Sequence, residues 1–458
     1  MSQELIISIS GMRGLIGENL FPEIASGYGS AFGTFLKKRH TGQEKLSVAI
    51  GRDSRPSGTM IFSAVAGGLA AVGIDVIDLG ICSTPAVGVM LRHLNCAGGI
   101  VITASHNPTP YNGIKLLLEN GIAPPKEMAE QIIQEYQDHQ FDFVDSLACG
   151  TLKPDTCANQ IHLDKVLAIV DKDKIASKHF KVVLDSVNGA GGAEGLMLLE
   201  ALGCEVVPMN IEPTGIFAHT PEPTAENLTT LCRQVADSGA NVGFAQDPDA
   251  DRLAIVDEKG GYIGEEFTLA LVAQLVFSKT QGVAAANLST SRMIDDIAER
   301  AGCKVVRAAV GEANVASAMI KNNCVIGGEG NGGIIDLRVG PIRDSLVGMA
   351  LVLELLTETG KTVSQLAGEI GGYAMHKIKY PADKQQTAAI IEKAKAVFTE
   401  AKLNTSDGCR FDFPDGWIHI RTSNTEPIMR IIVETKDPTI AKKYLDTIET
   451  IRLDVLKS

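Results

Sequence analysis

No stretch of this chain approaches the ~20 consecutive apolar residues that a membrane-spanning helix needs, so no segment is expected to cross a bilayer. The N-terminal Met1-Ser2-Gln3-Glu4 shows no basic region leading into an apolar core, and no secretory signal is expected there. Close cysteine pairs are also missing. The nine cysteines (Cys82, Cys96, Cys149, Cys157, Cys204, Cys232, Cys303, Cys324 and Cys409) are odd in number and scattered. Reduced thiols in a cytoplasmic protein fit this better than a disulfide framework or a zinc site. Nor is there a surplus of basic charge: 42 Lys and Arg face 55 Asp and Glu, a formal net charge of −13. That balance argues against nucleic acid or an anionic membrane as a partner, while leaving room for an anionic small substrate in a locally positive pocket. What the chain has in quantity is length and apolar content. Its 458 residues, 45% of them hydrophobic, are too many for one core and predict three or four domains of ~100–150 residues.

Short β-branched runs alternate with helical stretches. Residues 46–50 read as a strand, 64–72 as part of a helix and 75–79 as a strand, the alternation of a largely parallel α/β sheet. The unit recurs. Ala71-Val72-Gly73-Ile74-Asp75-Val76 is echoed by Ala201-Leu202-Gly203-Cys204-Glu205-Val206 and by Ala301-Gly302-Cys303-Lys304-Val305, each ending a helix at glycine and opening a strand. Strands at 48–50, 181–184 and 282–287 precede the three echoes, and a polar loop follows each one. From about residue 371 the pattern changes to a strand at 375–380, a helix over 390–402, two strands bracketing 421–427 and a final helix over 439–456. The expected architecture is α/β: three similar α/β domains with mixed, largely parallel sheets, plus a smaller C-terminal α+β domain. The expected boundaries are 1–155, 156–258, 259–370 and 371–458. At the N-terminus, Gly11-Met12-Arg13-Gly14 is expected to break a weak strand over residues 5–10.

Four loops carry chemistry. In Thr103-Ala104-Ser105-His106-Asn107-Pro108, Ser105 falls just past a buried strand, where open α/β sheets bind ligands. With His106 beside it and Lys115 returning nearby, Ser105 reads as a nucleophile with proton handlers, or as an ordinary strand-to-turn junction. Asp247, Asp249 and Asp251 form a hard oxygen set suited to Mg²⁺, brought together by a bend at Pro248. An EF-hand reading would use Glu258 at the twelfth position, but Arg252 occupies the place of the required glycine and 253–256 reads as a strand. In Gly327-Gly328-Glu329-Gly330-Asn331-Gly332-Gly333, five glycines surround Glu329 and Asn331. A carboxylate at the centre suits sugar hydroxyls better than phosphate, and a flexible turn is the alternative. Finally, Arg421, Thr422, Ser423, Asn424 and Thr425, with Arg430 close behind, offer the donors that a phosphate needs.

Together these loops resemble the α-D-phosphohexomutase family, in order and spacing, over the whole chain. Residues 103–108 are similar to its phosphoserine motif, 247–252 to its metal loop, 421–427 to its phosphate loop and 11–14 to its N-terminal glycine-arginine signature. The resemblance implies an isomerase that interconverts hexose 1-phosphate and 6-phosphate through a phosphorylated Ser105 and a hexose 1,6-bisphosphate. Mg²⁺ would be held by Asp247, Asp249, Asp251 and an oxygen on Ser105, with Arg13, Arg252 and Lys115 adding positive charge. Either His106 or Lys115 would be the general base, a lysine requiring its pKa to be lowered by nearby cations. Adjacent residues of an extended chain point opposite ways, so a hydrolase-like Ser105–His106 pair is not expected. Arg421, Ser423, Asn424, Thr425 and Arg430 would anchor the distal phosphate, while Glu329 and Asn331 read the sugar. Where bacterial members usually carry serine in the sugar loop, this chain has Asn331. Glucosamine phosphate is the expected substrate because a carboxylate favours an amine, with mannose and glucose phosphates as alternatives. A metal-dependent sugar phosphatase and a non-catalytic sugar-phosphate sensor are the rival classes. The expected assembly is a monomer or homodimer.

Overall fold

The computed structural model describes residues 5–42, 45–423 and 428–457. The first sheet contains β1 (Ile6–Ser8), β2 (Gly11–Leu15), β3 (Ser47–Arg52), β4 (Asp75–Ile81), β5 (Gly98–Ile102), β6 (Tyr111–Leu118) and β7 (Leu152–Pro154), in the order β1-β2-β6-β5-β3-β4-β7. The second has β8 (Lys181–Asp185), β9 (Glu205–Met209), β10 (Val242–Gln246) and β11 (Leu253–Val256). The third has β12 (Val283–Asn287), β13 (Lys304–Ala308), β14 (Ile326–Glu329) and β15 (Gly333–Ile335). The fourth is wholly antiparallel: β16 (Ala374–Pro381), β17 (Lys402–Asn404), β18 (Cys409–Phe413), β19 (Gly416–Thr422) and β20 (Ile428–Thr435), ordered β16-β20-β19-β18-β17.

One four-strand unit underlies the first three sheets. The orders β6-β5-β3-β4, β11-β10-β8-β9 and β15-β14-β12-β13 are the same order read three times. In each unit the first strand pairs parallel with the second and the third, and the fourth returns antiparallel beside the third. The connection from third to fourth strand is therefore equivalent in all three, and it carries Ser105, then the three aspartates, then the glycine loop. The glycines of the echo do what their position predicts: Gly73, Gly203 and Gly302 have φ of 85°, 72° and 68°, a left-handed turn that ends each helix before the next strand.

Two local expectations fail. Residues Gly11–Leu15 do not merely interrupt a strand but form β2, paired with β6 so that Arg13 stands opposite Gly113. Glycine here permits close approach: a Cβ on Gly11 would lie 2.2 Å from the carbonyl oxygen of Ile114. The helix expected over 390–402 runs instead over Lys384–Val397, because Asp383 caps it with Gln386 in a reciprocal box and Lys402 already begins β17.

The second and third domains share one apolar core that includes Leu184, Phe244, Leu271 and Ile326. Through it runs the helix Ser345–Thr359, buried from Ser345 to Thr357 on every side, as its mostly apolar sequence requires; its one buried carboxylate, Glu354, is paired with Lys279 (2.8 Å). The first and fourth domains have cores of their own. All nine cysteines are free, and among the described residues no helix is long and apolar enough to cross a membrane.

Candidate active site

Ser105 lies beyond β5, 4% exposed, with φ of 48°. This left-handed residue is the reason the expectation for an extended Ser105–His106 dipeptide fails: both side chains turn to one side, and Ser105 Oγ comes 3.4 Å from His106 Nδ1. The loop is held from below. Arg55 donates through Nη2 to the carbonyl oxygens of Ser105 (2.7 Å) and Asn107 (2.6 Å), and through Nη1 to those of Pro108 (2.7 Å) and Tyr111 (3.1 Å). Asp53 fixes Arg55 at Nε (3.0 Å) and accepts from Thr103 Oγ1 (2.7 Å), which in turn accepts from the Ser105 main-chain N–H (2.8 Å). Arg13 donates to Asn107 Oδ1 (3.3 Å).

Facing Ser105 are the three aspartates, all buried, each offering one oxygen within 4.8 Å of the others. The bend at Pro248 and a left-handed Ala250 (φ 54°) curl the loop so that they converge. Ser105 Oγ donates to Asp247 Oδ2 (3.1 Å), whose other oxygen accepts from the main-chain N–H groups of Asp251 and Arg252 (3.1 Å each). Asp249 Oδ2 accepts from Lys115 Nζ and Thr84 Oγ1, both at 2.7 Å. Asp251 Oδ2 meets Arg343 Nη2 at 2.5 Å and Lys115 at 3.6 Å. The Nε of Arg252 lies 3.9 Å from Asp247 and 3.8 Å from Asp251. Among the described residues, Asp249 Oδ1 and Asp251 Oδ1 are buried without a hydrogen-bond partner. Buried carboxylate oxygens left unpaired are unfavourable. Three hard oxygen donors with two open atoms fit a small divalent cation. The EF-hand alternative is excluded, because Glu258 bonds instead to Thr362 and Ser364.

The electrostatics divide the proton handlers. Burial, then Arg252 and Arg13, pushes His106 well below its ordinary pKa, so its imidazole is neutral at physiological pH. Lys115 departs from expectation. Burial alone would lower its pKa, but its nearest charges are Asp249 and Asp251, not cations, and they hold it above the ordinary value. Burial together with repulsion from Asp251 and Asp249 raises Asp247 well above the carboxylate range. In Asp249 burial acts in the same direction, but Lys115 and the hydroxyl of Thr84 outweigh it and hold the pKa low.

Glu329 ends β14, 4% exposed. Its Oε1 accepts from Asn287 Nδ2 (2.8 Å) and the Gly311 N–H (3.2 Å), and its Oε2 pairs with Arg343 Nη1 (2.7 Å). Asn331 Nδ2 lies 3.4 Å from the same carboxylate. In the fourth domain Arg421 Nε pairs with Asp407 Oδ2 (3.0 Å), which also accepts from the Val310 N–H (3.1 Å) beside the glycine loop. Arg430 is the register partner of Arg421 across β19 and β20, and the Ser423 N–H donates to the Ile428 carbonyl (2.8 Å). Asn424 and Thr425 lie outside the described residues. The structure thus unites Ser105, His106, Lys115, Arg13, Arg252 and the aspartates directly, and it joins Glu329 to them through Arg343. Sequence reasoning missed Asp53, Arg55, Thr84 and Arg343. The charged run 52–55 at the end of β3, beside β5, was the available signal for the first two.

A serine facing a buried acidic trio, with Lys115 and Arg343 reaching it from neighbouring domains, is the kind of arrangement that phosphoryl transfer assisted by a divalent cation requires. The chain matches the phosphoglucomutase/phosphomannomutase family over its alpha/beta/alpha domain I at residues 5–143, domain II at 160–261, domain III at 264–372 and C-terminal domain at 377–451. It belongs to that family. It is 40% identical over 442 residues to a phosphoglucomutase/phosphomannomutase of Thermococcus kodakarensis, covering 95% of this chain and 96% of that one. It is 34% identical over 441 residues to a probable phosphoglucosamine mutase of Methanopyrus kandleri, with 95% of each chain covered. The crystal structure of a family protein from Burkholderia thailandensis superposes with a TM-score of 0.87 at 26% identity, over 98% of this chain and 97% of that one. The protein is accordingly a phosphohexomutase, an isomerase by class.

Proposed function

We propose that this enzyme interconverts hexose 1-phosphates and 6-phosphates by carrying the transferred phosphoryl group on Ser105. In the forward half, the Oγ–P bond of phosphorylated Ser105 breaks as the free hydroxyl of the bound sugar phosphate forms its own O–P bond, giving a hexose 1,6-bisphosphate. The proton of that hydroxyl passes to the neutral imidazole of His106. In the second half the intermediate presents its other phosphate, the Ser105 oxygen attacks it, and the proton returns to the leaving sugar oxygen. Phosphoryl transfer depends chiefly on alignment and charge neutralisation. Asp247, Asp249 and Asp251 would hold Mg²⁺, which when bound supplies positive charge beside the transferring oxygens. Lys115, already paired with two of the aspartates, contributes charge and orientation while His106 handles the proton. Arg13 and Arg252 line the same cleft, and Arg421, Ser423, Asn424, Thr425 and Arg430 are proposed to grip the phosphate that is not reacting.

The observation that carries the reading is the buried contact of Ser105 Oγ with Asp247 inside an acidic trio that has two open oxygens. Intact mass of the purified protein should reveal one phosphate on Ser105, lost on addition of a hexose monophosphate. Ser105→Ala should keep the fold and lose the mutase reaction, and substantial turnover by that variant would refute the phosphoserine route.

For the sugar, we favour glucose and mannose phosphates. The glucosamine expectation needs a free carboxylate for the amine, and Glu329 is already paired with Arg343 and bonded to Asn287. The name of the 40% identical relative supports the same choice. Glucosamine phosphate remains the second reading, favoured by the names of relatives at about the 34% level such as that of Methanopyrus kandleri. Comparing kcat/KM for the three 1-phosphates decides. A tenfold advantage for glucosamine phosphate, ~1.4 kcal/mol in transition-state binding, would reverse the assignment.

A further inference from the structure

One buried side chain connects the acidic loop of the second domain to the glycine loop of the third. Arg343 places Nη2 on Asp251 Oδ2 and Nη1 on Glu329 Oε2 (2.7 Å), while its Nε lies 3.1 Å from Glu312 and its main-chain N–H donates to the same carboxylate (3.2 Å). The stem crosses Gly333 so closely that a Cβ there would stand 2.2 Å from Arg343 Cδ. The glycine at 333 is therefore occupied space, and it belongs to the arginine. A guanidinium fork fixes two carboxylates in one plane, which an ammonium cannot do.

We propose that Arg343 is a positioning residue with two effects: it holds Glu329 in its sugar-facing orientation, and it acts as a resident counter-charge with which any divalent cation must share Asp251. Both effects follow from the same fork. With Oδ2 of Asp251 committed to Arg343, only Oδ1 stays open, and a fixed positive charge next to the site weakens cation binding there. With Oε2 of Glu329 on the other arm, the carboxylate cannot rotate, so its lone pairs stay aimed in one direction.

Charge and fork can be separated by substitution. Arg343→Lys keeps the charge and loses the fork, whereas Arg343→Met loses both. The first readout is Mn²⁺ affinity by calorimetry at pH 8, without substrate. The second is discrimination among glucose, mannose and glucosamine 6-phosphates, read as the ratio of their Kd values in EDTA. We expect Arg343→Met to bind Mn²⁺ at least threefold more tightly than the wild type, Arg343→Lys to stay within twofold, and both to lose sugar discrimination at least threefold. General damage to the site would weaken the cation instead, so the sign is diagnostic. Unchanged or weaker Mn²⁺ binding by Arg343→Met overturns the counter-charge role, and discrimination kept by both variants overturns the positioning role. If the methionine variant fails to fold, the lysine variant alone decides, and retained discrimination refutes the proposal. The sugar arm rests on the mutase reading. Wild-type turnover measured in parallel tests that reading separately, and the Mn²⁺ arm stands without it.

Discussion

His162 is fully buried where the first three domains meet, with Nδ1 2.5 Å from Glu194 Oε1 and Nε2 2.6 Å from Asp344 Oδ2. A neutral imidazole has one N–H and would turn a lone pair toward one of these carboxylates, whereas the imidazolium donates to both. Burial acts to lower its pKa, but Asp344 and Glu194 outweigh burial and raise it to about 10 from 6.5. The sign follows directly. A folded pKa above the unfolded one means the stabilisation is complete below about pH 6.5 and disappears as pH rises through about 10. A gap of some 3.5 units corresponds to roughly 5 kcal/mol at ~1.4 kcal/mol per unit. His162→Gln leaves at least one buried carboxylate without its partner and should destabilise the protein at pH 6.5 by about 3–5 kcal/mol. Urea unfolding of both proteins at pH 6.5, 7.5, 8.5 and 9.5, followed by far-ultraviolet circular dichroism, isolates the group, because titrations common to both cancel in the difference. Between pH 7.5 and 9.5 the wild-type advantage should shrink by ~1.4 kcal/mol per pH unit. Parallel stability curves over that range would refute a buried imidazolium at this junction.

Asp249→Asn removes one charged donor from the acidic trio, so the Mg²⁺ concentration for half-maximal activity should rise by roughly tenfold or more. Unchanged activity in limiting Mg²⁺ would place the metal elsewhere. Arg55→Lys loses the fork that gathers four carbonyls under residues 105–111. It should lower kcat while leaving KM for the sugar phosphate within about threefold, and limited proteolysis should find the loop newly accessible. At Gly330 an added Cβ would stand 1.9 Å from Glu266 Oε2, which accepts from the Ser291 N–H in a carboxylate also paired with Lys377 of β16. Gly330→Ala should therefore destabilise by ~1–3 kcal/mol, and an unaltered melting temperature would contradict that packing.

What could be read in the sequence was local, and what could not was long-range. Glycine at 73, 203 and 302 announced the three helix ends because a left-handed residue is a property of one position. The three reactive loops were visible because each interrupts a β-branched run with polar residues. The strand at Gly11–Leu15 was hidden, since two glycines in five residues look like a turn until β6 is present to pair with them. Lys115 was expected among cations because arginines crowd the motifs, yet the packing of the first domain on the second sets it against Asp249 and Asp251. Arg343 carries no local signal of its site role. It precedes the N-cap Asp344 of an apolar helix, and only the approach of the second domain to the third gives it two carboxylates to join.

That distribution of charge explains why the site is spread over the repeats. Asp247, Asp249 and Asp251 fall within five residues of one loop, and burial, followed by their mutual repulsion, pushes Asp247 well above the carboxylate range. Among the described residues no lysine of the second domain pairs with them, and its own Arg252 stands off at 3.9 Å from Asp247 and 3.8 Å from Asp251. Lys115 comes from the hairpin partner of β5 in the first domain, Arg343 from the approach to a helix shared with the third, and the Thr84 hydroxyl from the start of a helix in the first. Because the same four-strand unit presents the same connection in each domain, packing the units brings three equivalent edges to one point, and the cations arrive with the edges. Assembly of the domains and neutralisation of the acidic loop are then one event. A second domain separated from its neighbours would have to protonate its aspartates or bind a cation to bury them.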